Sequence, residues 1–169
     1  TVPGIRVGES GSGTLEVRSG GSVSGNRVDT GATPGAMGVI IVDGAGSNVT
    51  SASTFIVGGG GTGRGTISGG GTVTAQTSNL GSSSGGDGRL TVTGAGSRLD
   101  LVTGATPAFS RAFLNIGREQ RGDLAILAGG KVLIDAAALA DGSSTGVTMG
   151  GGAGTPSPGG SFAGGDGIL

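Results

Sequence analysis

Residues 7–23 read V-G-E-S-G-S-G-T-L-E-V-R-S-G-G-S-V, and residues 57–73 read V-G-G-G-G-T-G-R-G-T-I-S-G-G-G-T-V. The second stretch lies 50 positions after the first. The match runs without a gap over residues 5–54 against 55–104, where 15 of 50 positions are identical. Thirteen of these are Gly or Val, and the run Gly44-Ala45-Gly46-Ser47 returns as Gly94-Ala95-Gly96-Ser97. A third copy begins at Leu114. There Ile116-Gly117 matches Val57-Gly58, Gly122 matches Gly63, and Gly129-Gly130-Lys131-Val132 matches Gly70-Gly71-Thr72-Val73. About nine additional residues, near Val102 to Ala112, separate copies two and three. One residue is then lost, and Gly152-Ala153-Gly154-Thr155 takes the place of the Gly-Ala-Gly-Ser run.

Each copy divides again. Val7-Gly8 and Thr30-Gly31 lie 23 apart, as do Val57-Gly58 and Leu80-Gly81. The physical unit is therefore a coil of about 23–27 residues, alternating between two types. One such coil cannot bury its apolar edge, whereas stacked coils can. Within Thr14–Arg18, strand alternation sets Leu15 and Val17 on one face and Thr14, Glu16 and Arg18 on the other. The matching residues of copy three are Leu124 and Ile126 inward, and Asp123, Ala125 and Leu127 outward. The inward stacks predicted this way are Ile5, Phe55 and Leu114; Val7, Val57 and Ile116; and Val23, Val73 and Val132.

The fold class expected is all-β: a right-handed parallel β-solenoid (β-helix) of six to seven coils in three double-coil repeats. At ~4.8 Å per coil it makes a rod roughly 30 Å long. It fills residues 1–169 as one domain, with copies at 5–54, 55–104 and 114–160, an insertion at about 102–112 and a tail at 156–169. A β-sandwich offers no reason for a gap-free 50-residue repeat. Disorder is opposed by the clustering of β-branched residues into short alternating bursts between glycine turns.

Composition narrows the chemistry. Glycine supplies 43 of 169 residues, and Gly, Ser and Thr together supply 80. The chain has four Phe but no Tyr, Trp, Cys or His, and its formal charge is −1. Without His or Cys there is no zinc site of the common kinds, no thiol nucleophile and no Ser-His-Asp triad. Sparse, balanced charge lacks the basic stripe that nucleic acids require. No apolar run approaches the roughly 20 residues of a membrane helix.

The pattern V-G-x-x-G-x-G-x-L-x-V-x-x-G-G-x-V, followed by a G-A-G-S turn, resembles the type V secretion / PEP-CTERM-associated repeat of autotransporter passengers. The residues that carry the likeness are Val7-Gly8, Gly11, Gly13-Thr14-Leu15-Glu16-Val17 and Gly20-Gly21-Ser22-Val23 in copy one. In copy two they are Val57-Gly58, Gly61, Gly63, Ile67 and Gly69-Gly70-Gly71-Thr72-Val73. The resemblance implies a secreted β-solenoid on a bacterial surface. It supplies no catalytic residues.

Other motifs dissolve into the repeat. Arg121-Gly122-Asp123 spells an integrin-type tripeptide, but Gly122 is the repeat glycine equivalent to Gly13 and Gly63. Gly85-Gly86-Asp87-Gly88 and Gly164-Gly165-Asp166-Gly167 lack the tandem arrangement of calcium nonapeptides. That leaves Asp43 and Asp87 as isolated carboxylates. The acids are dispersed rather than clustered for general acid–base work, and Arg64 and Arg121 stand on nearby rungs where a glycan carboxylate would meet them. The expectation is a non-enzymatic structural protein, a surface fibre or adhesin shaft, without cofactor or metal. A carbohydrate-binding or carbohydrate-cleaving β-helix is the alternative. Copy three carries the candidate interaction surface: Ala125, Leu127 and Leu133 replace polar residues of the other copies, and Ile168 and Leu169 form an apolar tail. The expected partner is another copy, head to tail or laterally, or the rest of a longer solenoid. A surface glycan is the other partner considered.

Overall fold

The computed structural model describes residues 3–103, 112–135 and 146–150, and these residues form strands and turns with no helix. The strands are β1 (Ile5–Val7), β2 (Ser12–Arg18), β3 (Ser22–Thr30), β4 (Met37–Asp43), β5 (Asn48–Val57), β6 (Thr62–Ser68) and β7 (Thr72–Ala75). They continue as β8 (Thr77–Leu80), β9 (Asp87–Thr93), β10 (Arg98–Leu101), β11 (Phe113–Ile116), β12 (Arg121–Leu127), β13 (Lys131–Ile134) and β14 (Gly146–Met149). Every pairing among them is parallel. The protein is thus all-β and built of parallel sheets.

The smaller sheet has five strands in the order β2-β4-β6-β9-β12. Ser12 lies opposite Met37, Met37 opposite Thr62, Thr62 opposite Asp87, and Asp87 opposite Arg121. The steps are therefore 25, 25, 25 and 34 residues. The last step is longer by the nine residues expected between copies two and three.

The larger sheet has nine strands in two series. One series runs through residues 22–25 of β3, 48–50 of β5, then β7, β10 and β13. The other runs through β1, residues 27–30 of β3, 54–57 of β5, then β8, β11 and β14. The two series meet at a corner that is a register shift between Gly25 and Arg27 in β3 and the single residue Gln76 between β7 and β8. Both later lengthenings of the chain, 102–112 and 135–145, enter at this same corner. The second was not anticipated as an insertion. Carried back from Gly152–Thr155, the repeat alignment sets Gly146 in the row of Gly38 and Gly88 in the smaller sheet. The structure instead pairs Gly146–Met149 with Phe113–Ile116 in the larger one. Residues 151–160 of the third copy, and the tail, lie outside the described residues.

Register brings like side chains together. Val17, Val42, Ile67 and Val92 form one buried row, and Val49, Val73 and Leu99 another, flanked by the partly buried Val23 and Val132. The predicted neighbours Val7 and Val57 do share a row, with Thr30 between them. The row of Ile5, Phe55 and Leu114 is completed by Val28 and Ser78. Ser78 is a departure from the apolar expectation: it is fully buried, and its hydroxyl has no hydrogen-bond partner.

Two corners depend on residues without side chains or with a small hydroxyl. Gly8, Gly31, Gly58, Gly81 and Gly117 all have φ between +61° and +76°, where only glycine sits without steric cost. A Cβ on Gly31 would also lie 2.3 Å from the carbonyl oxygen of Thr62 in the adjoining strand. At the opposite corner, the buried hydroxyls of Ser47 and Ser97 accept the N–H groups of Gly20 and Gly70 at 3.1 and 3.0 Å. The serine of the repeated G-A-G-S run therefore satisfies a backbone donor of the preceding turn. Each such turn alternates with a shorter one led by Ser19, Gly69 or Ala128, residues held at positive φ.

Candidate functional site

The candidate surface is where the sheets end. β12, β13 and β14 are terminal strands, and no described residue pairs with their outer edges. Two distinct causes leave apolar groups in solvent there. The first is position. Ile126 belongs to the row of Val17, Val42, Ile67 and Val92, none more than 3 % exposed, yet it is 39 % exposed; an end position permits this without being enough for it, since Val17 at the other end of the row is buried. Val147 and Met149 are likewise exposed on a terminal strand. The second cause is substitution. Leu133 lies in an outward row with Asp100, Thr74 and Thr50, and Leu127 lies beside Thr93. Both leucines are about half exposed, at 47 % and 53 %.

Of the residues singled out in the sequence, Leu127 and Leu133 are thus brought to one end of the molecule. Ala125 is there too, half-buried beside Thr91. Ile168 and Leu169 lie outside the described residues. Sequence reasoning missed Ile126, Val147 and Met149, because an inward position is exposed only when nothing is stacked beyond it. It also missed Met37, which is 48 % exposed at the start of β4. Val39 and Ile41 follow Met37 on the outward side of that strand.

The outer face of the smaller sheet carries a zigzag of opposite charges. Arg64 donates to Asp87 at 2.9 Å, Arg89 lies 3.6 Å from Asp87 and 3.2 Å from Asp123, and Arg121 lies 3.0 Å from Asp123. Parallel register one strand apart creates it: Asp87 stands opposite Arg121, and Arg89 opposite Asp123. Arg64 and Arg121, the candidates for meeting a glycan carboxylate, each have an aspartate instead. The Arg121-Gly122-Asp123 tripeptide is part of β12, with its two charges paired to each other. Asp43 accepts from Arg18 at 3.1 Å and from Ser68 at 2.6 Å. No group of three or more carboxylates gathers among the described residues.

The charges titrate in opposite senses. Burial works against ionised Asp87, but the hydrogen bond and charge of Arg64, with Arg89 and Arg121 behind, outweigh it and hold the carboxyl below the usual range. Asp29 is the reverse. It is 3 % exposed, Arg27 reaches its Oδ2 at 2.7 Å, and its Oδ1 has no partner. Burial pushes this carboxyl up, and Arg27 and the more distant Arg6 only partly oppose the shift. A carboxyl raised in the folded chain binds its proton more readily than in the unfolded one. Its contribution is therefore most favourable below the ordinary aspartate range and declines as pH rises through that range. Asp29→Asn is expected to raise the melting temperature at pH 7 and leave it unchanged at pH 3. Thermal melts at the two pH values measure this, and a fall at pH 7 would show that the Arg27 pair outweighs the burial.

No family model, curated protein or solved structure matches the chain.

Proposed function

We propose that the chain winds as a right-handed parallel β-solenoid and serves as a non-enzymatic shaft on a bacterial surface, joining head to tail through the outer edges of its end strands. The observation that carries this reading is the register of the smaller sheet. Five parallel strands follow one another at steps of 25, 25, 25 and 34 residues with Gly13, Gly38, Gly63, Gly88 and Gly122 in one row. Between any two of them the chain passes through both series of the larger sheet. A chain that visits three strand rows in a fixed cyclic order, one level further each time, is a winding, and repeated windings resist axial load through backbone hydrogen bonds. The extracellular placement rests on the resemblance of the V-G-x-x-G-x-G motif to autotransporter repeats. The absence of cysteine accords with export of an unfolded chain. Strand edges that no described residue pairs with, and the apolar groups of β12–β14, favour axial joining.

Electron microscopy of the purified chain at micromolar concentration tests the shaft. Threads of constant width that lengthen with concentration are expected, and particles of fixed size at every concentration would remove the joining. On intact cells that express the parent protein, added protease should reach the chain. Protection in intact cells would remove the surface placement.

A further inference from the structure

We propose that Asp43 and Arg64, the lone charged residues of β4 and β6, keep each strand from stacking on the same strand of a second copy, and so reserve it for its neighbours in its own chain. The inference is independent of head-to-tail joining. Whatever lets one coil stack on the next also lets it stack on a copy of itself. The five strands of the smaller sheet share a glycine row, Gly13 to Gly122, and an apolar row, Val17 to Ile126. β4 laid in parallel register on β4 of another copy sets Gly38 on Gly38 and Val42 on Val42. Its inward side thus repeats the native rows and discriminates poorly. The hazard is greatest there, because Met37–Asp43 reads M-G-V-I-I-V-D, a β-branched run with no proline and one charge. Its outward Met37, Val39 and Ile41 are apolar as well.

Charge does discriminate. In the native order Asp43 and Arg64 each find an opposite charge on an adjacent strand. Asp43 stands opposite Arg18 and accepts from it at 3.1 Å, and on its other side accepts from Ser68 at 2.6 Å. Arg64 donates to Asp87 of β9 at 2.9 Å. Arg64 also stands directly opposite Arg89, and Asp87, 3.6 Å from Arg89, offsets these two like charges. Stacked like on like, Asp43 meets Asp43 and Arg64 meets Arg64 across ~4.8 Å between strands, and neither strand holds a counter-charge. Like charges directly opposite are destabilising. A surface ion pair adds little to stability by itself. Discrimination is larger, because it is the difference between attraction in one stack and repulsion in the other. The two side chains are 38 % and 37 % exposed, so salt weakens both parts.

The chain has no cysteine, so one introduced thiol reports the stacking directly. In the native sheet residue 41 stands between Glu16 and Thr66. Strands stacked like on like set it against its own counterpart, within the span of a disulfide. β4 lies between β2 and β6, so joining through end strands does not bring two such thiols together. An Ile41→Cys chain is refolded from urea at micromolar concentration and oxidised, and its disulfide-linked dimer is measured. Adding Asp43→Asn and Arg64→Gln, which leave the formal charge at −1, is expected to raise the dimer on the order of 5-fold or more. Salt at about 1 M, where the Debye length is ~3 Å, should raise it similarly in the chain that keeps both charges, and leave the neutralised chain unchanged. Ile40→Val in the Ile41→Cys chain is the control for lost stability. It removes a buried methyl group from the same strand and keeps the charges, so the dimer should stay at its starting level. Equal dimer with and without the two charges, or an equal rise with Ile40→Val, overturns the proposal. Should the neutralised chain fail to fold, the salt series on the charged chain decides alone, and a flat response overturns it.

Discussion

A Gly88→Ala chain is expected to lose its cooperative unfolding transition or to retain it with stability lower by about 4 kcal/mol or more. A Cβ at this position would lie 1.9 Å from the carbonyl oxygen of Val57 and 2.5 Å from the amide nitrogen of Gly81. Both are backbone atoms, held by hydrogen bonds: Gly81 N–H donates to that same Val57 oxygen at 2.9 Å. No rotamer change relieves the clash, so β9 must leave β6 or the corner at Gly81 must open. Gly11 is the control. Nothing lies within 4 Å of a Cβ there, and Gly11→Ala should be neutral or stabilising by about 0.4–1 kcal/mol through the unfolded chain. Urea unfolding of the two variants measures the contrast. Similar stabilities would mean that the row from Gly13 to Gly122 is not the close crossing described.

The second large effect is at Phe55, the bulkiest of the fully buried side chains. It stands in register between Val28 and Ser78, and the small Ser78 beside it leaves no large neighbour on that side to move in. Phe55→Ala should cost roughly 3–5 kcal/mol, or roughly 6–20 °C in melting temperature for a chain of this size. A loss below about 1.5 kcal/mol would show that the row collapses around the gap. The comparison with Phe113 is informative, because Phe113 is only half-buried at the start of β11 and its truncation should cost less.

These two residues also show how unevenly the sequence could be read. Gly88 was legible: it aligns with Gly38 in a gap-free repeat, and a recurring glycine marks a backbone crossing. Phe55 was legible as an inward residue through its match to Ile5 and Leu114. Its immediate neighbours Val28 and Ser78 were not, since the half-repeat offset of 23–27 residues is less regular than the full one. The candidate surface divides the same way. Leu127 and Leu133 stood out because apolar residues replaced polar ones of earlier copies. Ile126 did not, because the residue is correct for its row and its exposure at the end of the sheet has no local signal.

The sequence by itself determined the β class, the inward and outward faces of the strands in Thr14–Arg18 and 123–127, and several of the rows that like residues share. Those depend on alternation along a strand and on a period, and both are properties of the linear chain. Tertiary structure decided what lies one level above or below each residue. That is why the Arg64–Asp87–Arg89–Asp123–Arg121 zigzag, the burial of Asp29, the orphan hydroxyl of Ser78 and the position of β14 were invisible beforehand. The cross-strand contacts behind them join residues 23 to 36 positions apart, and a change in one corner loop shifts every such partnership without altering the local pattern.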